Sequence, residues 1–306
     1  MSIRTLFEKV SKSSLSELLS EAEAVRKSYA MKKIELCCIF NAKSGLCKQD
    51  CKFCAQSSPS NSKIDTYELK SQKEIVVAAQ KAKAMGAERF SIVTSGNRLN
   101  WIEINRIGEA ICQIREEVGI KVCASLGALK REELYVLQEC GLTRYHHNIE
   151  TSEEFYTNVV STHKFEDRIR TIQTAKSLGL EVCSGGILGL GEGWDDRIGM
   201  ANTLKELKVD SVPLNFLIPI KGTPFGKREK LSINEALRSI ALFRIVLQDK
   251  PIKIAGGREE ILGDSQVEGF SAGATGMITG DYLTVKGQGL QNDQELISRV
   301  YELWNE

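Results

Sequence analysis

Short runs of apolar and β-branched residues alternate along the chain with longer segments whose apolar residues recur every three or four positions. The short runs are typical of buried strands, and the longer segments are typical of amphipathic helices. Two helical stripes are clear: Ile104, Ile107, Ile111, Ile114 and Val118, and then Ile169, Ile172, Ala175 and Leu178. Eight strands are predicted: Ile34–Phe40, Arg89–Thr94, Ile120–Ser125, Arg144–Asn148, Glu181–Ile187, Ser211–Leu217, Ile252–Ala255 and Gly276–Thr279.

Strands that alternate with helices predict parallel βαβ units. Eight such strands favour an α/β fold of the closed (β/α)8 TIM type, although a doubly wound open sheet has the same local pattern. Glycines are expected to end the helices that precede several strands: Gly86, Gly119, Gly141 and Gly179. Residues 1–31 are predicted to form helices packed outside this barrel, and residues 1–306 to form a single domain.

Charge and composition narrow the class of protein. The 306 residues include 41 basic and 40 acidic side chains, so no basic excess indicates a nucleic-acid partner. Neither a secretory signal nor an apolar run of membrane-spanning length is visible, so a cytoplasmic protein is expected. Disulfides are rare in the cytoplasm. Nine cysteines in such a protein therefore indicate metal binding or redox chemistry.

Three of these cysteines follow the first predicted strand in a single loop. Cys47, Cys51 and Cys54 have the spacing C-x3-C-x2-C. Thiolates are the usual ligands of iron–sulfur clusters, and three ligands on a 4Fe–4S cluster leave one iron open to bind a small molecule. A structural zinc site would need a fourth ligand, and no further cysteine or histidine follows nearby. A redox C-x-x-C pair would leave Cys47 without a role.

With the aromatic Phe53 directly before the last cysteine, this motif resembles that of the radical S-adenosylmethionine superfamily. The resemblance implies that a full or partial barrel carries the cluster at the carboxyl end of its strands. It also implies that S-adenosylmethionine binds the open iron. One electron from the cluster then cleaves this cofactor to methionine and a 5′-deoxyadenosyl radical, which abstracts hydrogen from a substrate.

Further motifs, spread over nearly the whole chain from about Leu15, resemble those of the biotin synthases. They are Val122–Gly127, Tyr145–Ser152, Val182–Glu192, Ser211–Asn215, Lys221–Pro224 and Gly256–Glu259. The resemblance implies insertion of sulfur into dethiobiotin, with radicals from two S-adenosylmethionine molecules. It also implies a homodimer, an electron donor such as flavodoxin or ferredoxin, and an auxiliary 2Fe–2S cluster as the sulfur donor.

The resemblance places Cys123, Cys183 and Arg258 among the ligands of this auxiliary cluster. The remaining family cysteine corresponds to Ser91 here, and a hydroxyl is a poor ligand for iron that prefers soft thiolates. Neighbouring strand residues point to opposite faces, so one thiol of the pair Cys37 and Cys38 should face the barrel lumen. We expect Cys37 to replace the missing ligand, with Cys38 as the second choice, and the cluster to differ from the usual type. Alternatively, all of these cysteines pack as small core residues.

Other family positions imply contacts to the cofactor and substrate. Asn148 and Glu150 match residues at the cofactor ribose, and Arg168 matches one near the methionine carboxylate. Without the match, Arg168 would be interpreted as an exposed helical arginine. Phe53, Gly186 and Ile187 are also expected at the cofactor. Asn148 and Asn215 match positions that hold the ureido ring of the substrate, to which an amide can both donate and accept hydrogen bonds.

Two other functions remain open at this stage. One is a radical S-adenosylmethionine enzyme that acts on another small molecule without sulfur insertion. The other is a non-catalytic iron–sulfur electron carrier, for which Asn148, Glu150 and Arg168 would have no task.

Overall fold

The computed structural model describes residues 3–283 and 287–305, which form nine strands and twelve α-helices. The strands are β1 Glu35–Lys43, β2 Arg89–Thr94, β3 Lys121–Ser125, β4 Leu142–His146, β5 Glu181–Cys183, β6 Gly186–Leu188, β7 Val212–Phe216, β8 Ile252–Ile254 and β9 Gly276–Thr279. The helices are α1 Ile3–Lys12, α2 Leu15–Ser28, α3 Gln72–Ala84, α4 Trp101–Gln113, α5 Arg131–Glu139, α6 Glu153–Tyr156, α7 Phe165–Ser177, α8 Trp194–Glu206, α9 Ile233–Leu247, α10 Arg258–Leu262, α11 Gln266–Ser271 and α12 Leu290–Asn305.

All paired strands are parallel and form one sheet in the order β5-β4-β3-β2-β1-β9-β8-β7-β6. The sheet curls, because its two end strands are consecutive pieces of the segment 181–188. On one side of this segment the N–H of His147 donates to the carbonyl of Cys183 (3.0 Å), and on the other Ser184 donates to Ser211 (3.0 Å). The fold is therefore of the partial TIM-barrel type. A doubly wound sheet is excluded, because its strand order would reverse.

The predicted strands match the observed ones closely. Arg89–Thr94 and Gly276–Thr279 coincide with β2 and β9, whereas the predicted strand Glu181–Ile187 is interrupted between β5 and β6. At the interruption a Cβ atom on Gly185 would lie 1.9 Å from the carbonyl oxygen of Pro213. Only glycine permits so close an approach of two backbones.

The first two helices lie on the outside of the sheet. Helices α1 and α2 contact α8 and α9, and the guanidinium of Arg238 on α9 donates to the carbonyls of Val10 (2.8 Å) and Ser13 (2.9 Å). A capping box starts α2: the N–H of Ser14 donates to Glu17, and the N–H of Glu17 donates to the Ser14 hydroxyl. This reciprocal pairing satisfies two backbone donors that a helix start leaves free.

The predicted stripe on α4 continues beyond the end of the helix. Residues 114–118 form a π-helical turn, and Gly119 then ends the segment with a φ of 67°. All five apolar residues of the stripe are buried. Gly86, Gly141 and Gly179 also have positive φ values at the ends of the preceding helices, as the sequence predicts. The amphipathic pattern therefore fixes which face of this segment covers the sheet.

Candidate active site

The three-cysteine loop begins where β1 ends, at the carboxyl end of the sheet. Its first turn needs glycine, because Gly45 has a φ of +76° and a Cβ there would lie 2.5 Å from the Thr66 hydroxyl. The loop then folds in tight turns, with the N–H of Cys54 donating to the carbonyl of Cys51 (3.1 Å). As a result Cys47, Cys51 and Cys54 all line one cavity of about 370 Å³.

Burial changes the acidity of two of these thiols. Burial raises the pKa of Cys51 to about 12 and that of Cys54 to about 11. A metal that binds these sulfurs as thiolates would therefore have to displace their protons. Among residues 3–283 and 287–305, no three His, Cys, Asp or Glu side chains are close enough together to hold one metal ion. Three thiols on one cavity are suited to an iron–sulfur cluster, for which thiolates are the usual ligands.

A carboxylate anchors the cysteine loop to the segment after α6. Asp50 accepts hydrogen bonds from the N–H groups of Ser161 (2.9 Å) and Thr162 (3.1 Å), as well as from their hydroxyls. Beside it, the N–H of Lys52 donates to the carbonyl of Val159 (3.0 Å). These bonds fix the loop against the residues that follow β4.

A chain of hydrogen bonds leads from the cysteine loop into the cavity wall. Cys51 Sγ lies 3.7 Å from His163 Nε2, and His163 Nδ1 lies 2.8 Å from the hydroxyl of Tyr156. That hydroxyl accepts a bond from Arg168 Nε (2.6 Å). Burial lowers the pKa of His163 to about 4. The sequence analysis did not single out His163 or Tyr156, although both lie between the motif Tyr145–Ser152 and Arg168.

The residues predicted at the cofactor come together at the end of β4. The Arg168 side chain is only 14% exposed, which excludes the exposed alternative, and its Nη1 donates to the carbonyl of Asn148 (2.9 Å) and lies 3.6 Å from Glu150. Burial raises the pKa of Glu150, against the opposing effect of Arg168. Glu150 also has a φ of 69°, a conformation that non-glycine residues seldom adopt and that is common at functional sites.

Asn215, on β7 beside the same Gly185–Gly186 backbone that Asn148 contacts, lines a mainly apolar cavity of about 320 Å³. Its amide donates to the carbonyl of Gly186 (3.1 Å) and accepts from the N–H of Gly256 (3.0 Å). This cavity is lined by the predicted residues Phe53, Ile187 and Asn215, by the apolar Ile39, Ala55, Phe216, Leu217, Ile218, Ile220, Ile278 and Leu283, and by Cys54, Gln56, Gly256, Gly257, Glu259, Glu260 and Tyr282. The cavity can therefore hold a mainly apolar molecule with a polar group near the amide.

Three further thiols face the barrel lumen. Cys37, Cys123 and Cys183 are at most 3% exposed, and Cys37 Sγ accepts a hydrogen bond from Lys253 Nζ (3.0 Å). Cys38 instead belongs to the apolar core on the other face of β1, as alternation along a strand requires. Of the two neighbouring thiols, Cys37 is the one that lies on the lumenal face of β1. Burial raises the pKa of Cys37 to about 12.

The position of the missing family cysteine also faces this lumen. Ser91 pairs in register with Cys123 on the neighbouring strand, and its hydroxyl lies 3.4 Å from His146 Nδ1. The other ring nitrogen of His146 is buried with no hydrogen-bond partner among the described residues. A buried polar atom without a partner is costly, so this lumen fits a polar or ionic guest.

A layer of charged side chains lies beneath the lumenal thiols, at the amino ends of the strands. Glu35 pairs with Arg89 (2.5 Å), Lys253 (2.7 Å) and Arg144 (3.2 Å), and both arginines also pair with Glu181 (2.8 Å each). Burial opposes ionisation of Glu35, but Lys253 and Arg144 outweigh it and hold its pKa well below the usual range. Three cations face two carboxylates, which leaves one positive charge for an anionic partner.

Arg258 does not lie among these thiols, contrary to the sequence-based expectation. It is the first residue of α10, and its guanidinium pairs with Asp293 (2.5 Å) and with Gln266. Lys253, five residues earlier on β8, is the cation that reaches Cys37. One signal was available in the sequence: a lysine between Ile252 and Ile254 is unusual in a strand buried on both faces.

A cysteine loop at the carboxyl end of a curled parallel sheet, beside buried polar groups, defines the class of radical S-adenosylmethionine enzymes. The sequence pattern of the Radical SAM superfamily matches residues 43–204, and that of the Biotin and Thiamin Synthesis associated domain matches residues 213–300. Membership of this class implies a 4Fe–4S cluster and S-adenosylmethionine as cofactors.

Comparison with individual proteins identifies the family of this chain within the class. The chain is 53% identical to the biotin synthase of Thermotoga petrophila over 272 residues, which is 89% of this chain and 91% of the relative. It is 48% identical to the biotin synthase of Thermodesulfovibrio yellowstonii, over 95% of this chain and 92% of the relative. The chain belongs to the biotin synthase family.

Solved structures share the fold at low sequence identity. Methylornithine synthase matches with a TM-score of 0.83 and 22% identity, over 99% of this chain and 93% of the other. The hydrogenase maturase HydG from Carboxydothermus hydrogenoformans also has a TM-score of 0.83, with 19% identity over 98% of this chain and 75% of the other. At these identities the likeness extends to the fold alone.

Proposed function

We propose that this enzyme inserts sulfur into dethiobiotin to make biotin, and that an auxiliary iron–sulfur cluster in the barrel lumen is the sulfur donor. The observation that carries the proposal is the presence of two separate groups of three thiols on one barrel, one at its mouth and one inside it. An enzyme that only generates radicals, or an electron carrier, has no use for the inner group.

At the mouth, Cys47, Cys51 and Cys54 would hold the 4Fe–4S cluster. When bound there with S-adenosylmethionine, this cluster supplies the electron that generates the 5′-deoxyadenosyl radical. Arg168 presents a largely enclosed guanidinium that suits the methionine carboxylate. Glu150, with its carboxylate in the same cavity, is suited to accept hydrogen bonds from the ribose hydroxyls.

Inside the barrel, we assign Cys37, Cys123 and Cys183 as ligands of the auxiliary cluster. Their thiolates would supply the negative charge that the three cations of the layer beneath them leave uncompensated. Lys253 takes the place that Arg258 was expected to fill, either as a ligand or as a donor to the Cys37 sulfur. A lysine and a third cysteine in place of the usual arginine and strand-two cysteine predict a cluster that differs from the 2Fe–2S type.

The apolar cavity beside Asn215 fits the substrate. Dethiobiotin has a ureido ring and a hydrocarbon chain, and the Asn215 amide lies where an amide can both donate to and accept from a urea. Asn148 lines the adjoining cavity on the other side of the Gly185–Gly186 backbone and would contact the same ring. The ring would then lie between the mouth cysteines and the lumenal thiols, where both groups are within reach.

The remaining parts of the proposal concern the whole chain. With segment 181–188 counted as one strand that closes the sheet, the sheet would be a (β/α)8 barrel, and α1 and α2 would extend it within a single domain. No helix in the described residues is long and apolar enough to span a membrane. A cytoplasmic homodimer that receives electrons from flavodoxin or ferredoxin follows from the family resemblance and belongs to the proposal.

The first experiment is an anaerobic incubation of reconstituted protein with dethiobiotin, S-adenosylmethionine and dithionite, followed by mass spectrometry. Biotin, 5′-deoxyadenosine and methionine are the expected products. Cleavage of S-adenosylmethionine without formation of biotin would refute the assignment of dethiobiotin as the substrate and favour a different small molecule. An intact cluster without any cleavage would favour an electron carrier.

A variant pair tests the sulfur-donor site in the same experiment. Cys37→Ala should lower the iron and sulfide content of the auxiliary cluster and abolish biotin formation, while cleavage of S-adenosylmethionine persists. Cys38→Ala is the matched control, because it removes the neighbouring thiol on the other face of β1. Unchanged auxiliary iron and sulfide in Cys37→Ala would refute the ligand assignment.

A further inference from the structure

The chain of hydrogen bonds from Cys51 to Arg168 joins a cysteine of the mouth loop to the arginine assigned to the cofactor. Its steps are 3.7 Å from Cys51 Sγ to His163 Nε2, 2.8 Å from His163 Nδ1 to the Tyr156 hydroxyl, and 2.6 Å from that hydroxyl to Arg168 Nε. The rings of Tyr156 and His163 are also in contact, with centroids 5.9 Å apart. Each distance permits a hydrogen bond of its type.

On the proposed assignment of Cys51 as a cluster ligand, this chain has one direction. A metal-bound thiolate carries no proton, so His163 Nε2, 3.7 Å from the sulfur, carries the proton and donates to it. The other nitrogen of a neutral imidazole is an acceptor, and the Tyr156 hydroxyl donates to it. A guanidinium has donors and no acceptor, so Arg168 donates to the Tyr156 oxygen.

We propose that His163 is a positioning residue that donates a hydrogen bond to the cluster ligand Cys51 and raises the reduction potential of the 4Fe–4S cluster. The inference rests on the proposed assignment of Cys51 as a ligand and does not depend on the identity of the substrate. Reduction adds negative charge to the cluster and its sulfurs, and a donor to a ligand sulfur stabilises the more negative state.

The same chain links the cluster to cofactor binding. Arg168 also donates to the carbonyl of Asn148 and lies beside Glu150, so its position depends on the residues that surround the cofactor. His163 and Tyr156 connect one side of the Arg168 guanidinium to Cys51 through hydrogen bonds. The histidine therefore acts on the electron-transfer step through the cysteine and on cofactor binding through the arginine.

The experiment is a redox titration of the reconstituted full chain, followed by electron paramagnetic resonance of the reduced cluster. His163→Leu removes the donor, Tyr156→Phe removes only the hydroxyl that fixes the tautomer, and His163→Gln restores an N–H donor. Tyr135→Phe is the control, because Tyr135 is exposed on α5. Iron content and the S-adenosylmethionine-dependent spectral change are measured on every variant.

His163→Leu and Tyr156→Phe should have about tenfold less reduced cluster at a fixed potential, equivalent to a midpoint about 59 mV more negative for one electron. His163→Gln and Tyr135→Phe should stay close to the parent protein. Unchanged midpoints in fully loaded His163→Leu and Tyr156→Phe would overturn the proposal. If His163→Leu loses iron, Tyr156→Phe decides alone, since its histidine is intact. A parent protein that binds the cluster but makes no biotin would refute the proposed substrate and leave this measurement valid.

Discussion

Lys253 and Arg258 are two buried cations on neighbouring parts of the chain with different partners. Lys253 contacts Cys37 and Glu35 inside the barrel, whereas Arg258 contacts Asp293 outside it. A residue match in a motif therefore identified the right region and the wrong side chain. Substitution of Arg258 should therefore lower the stability of the fold, whereas substitution of Lys253 should lower the metal content, and the two effects can be measured separately.

Arg258→Met should destabilise the protein by about 3–5 kcal/mol, because the buried carboxylate of Asp293 loses its paired cation and keeps only neutral donors such as the Thr279 hydroxyl and the Gln288 amide. The auxiliary iron and sulfide per folded chain should not change. Urea unfolding and metal analysis check the two effects, and Asp293→Leu in the same chain should recover part of the stability. Lys253→Met is the contrasting variant and should lose auxiliary iron. Loss of that iron in Arg258→Met would show that the arginine reaches the cluster.

At the level of elements, the interrupted strand pair β5 and β6 shapes the cofactor site. A bridge joins Gly186 to Glu150, and the carbonyl of Gly186 accepts a bond from Asn215. This short piece of backbone therefore spaces the two walls on which the cofactor and the substrate are expected. Its position depends on glycines whose neighbours leave no room for a side chain.

Gly186→Ala should destabilise the protein by about 1–3 kcal/mol through overpacking, since the new Cβ would lie 2.3 Å from the carbonyl oxygen of Glu150. It should also weaken S-adenosylmethionine binding, because Glu150 must move. Unfolding and equilibrium binding measure the two losses. Gly199→Ala, inside α8 with its nearest contact at 3.6 Å, should instead stabilise by about 0.5–1 kcal/mol. Equal effects of both substitutions would contradict the close packing at Gly186.

The strands and the mouth cysteines were accessible from the sequence because their signals are local. A buried parallel strand is a short apolar run, and the C-x3-C-x2-C loop places its three thiols by its own turns. The break at Gly185, the bond between Cys51 and His163 and the pairing of Lys253 with Cys37 depend on contacts between distant segments. The spacing of apolar residues along the chain does not indicate which side chains from different strands will contact each other inside the barrel.

At the scale of the whole molecule, the charged layer joins five strands. Glu35, Arg89, Arg144, Glu181 and Lys253 come from β1, β2, β4, β5 and β8, and they meet at the amino ends of these strands. The layer packs in place of the apolar residues that usually fill a barrel at this level. Its stability therefore depends on the charge of Glu35 in a way that the apolar core does not.

Acid should weaken the folded state through Glu35. Its pKa is depressed in the folded chain, so its contribution is complete above the unfolded value of about 4.3 and is lost as the pH falls from about 5 towards the folded pKa. Urea unfolding of the metal-free protein between pH 6 and 3.5 measures the slope. Glu35→Gln should be less stable at pH 6 and show a shallower slope. The exposed Glu116→Gln should behave like the parent, and an equal slope in Glu35→Gln would contradict the assignment.

The position of this layer bears on how the enzyme is assembled. Paired charges fill the amino end of the lumen, and the cysteine loop with its cofactor residues stands at the carboxyl end. On the proposed assignments, iron and sulfide on their way to Cys37, Cys123 and Cys183 enter through the end that S-adenosylmethionine later occupies. Assembly then has an order, inner cluster before cofactor, and an enzyme that has given up its sulfur can be repaired only after its products have left.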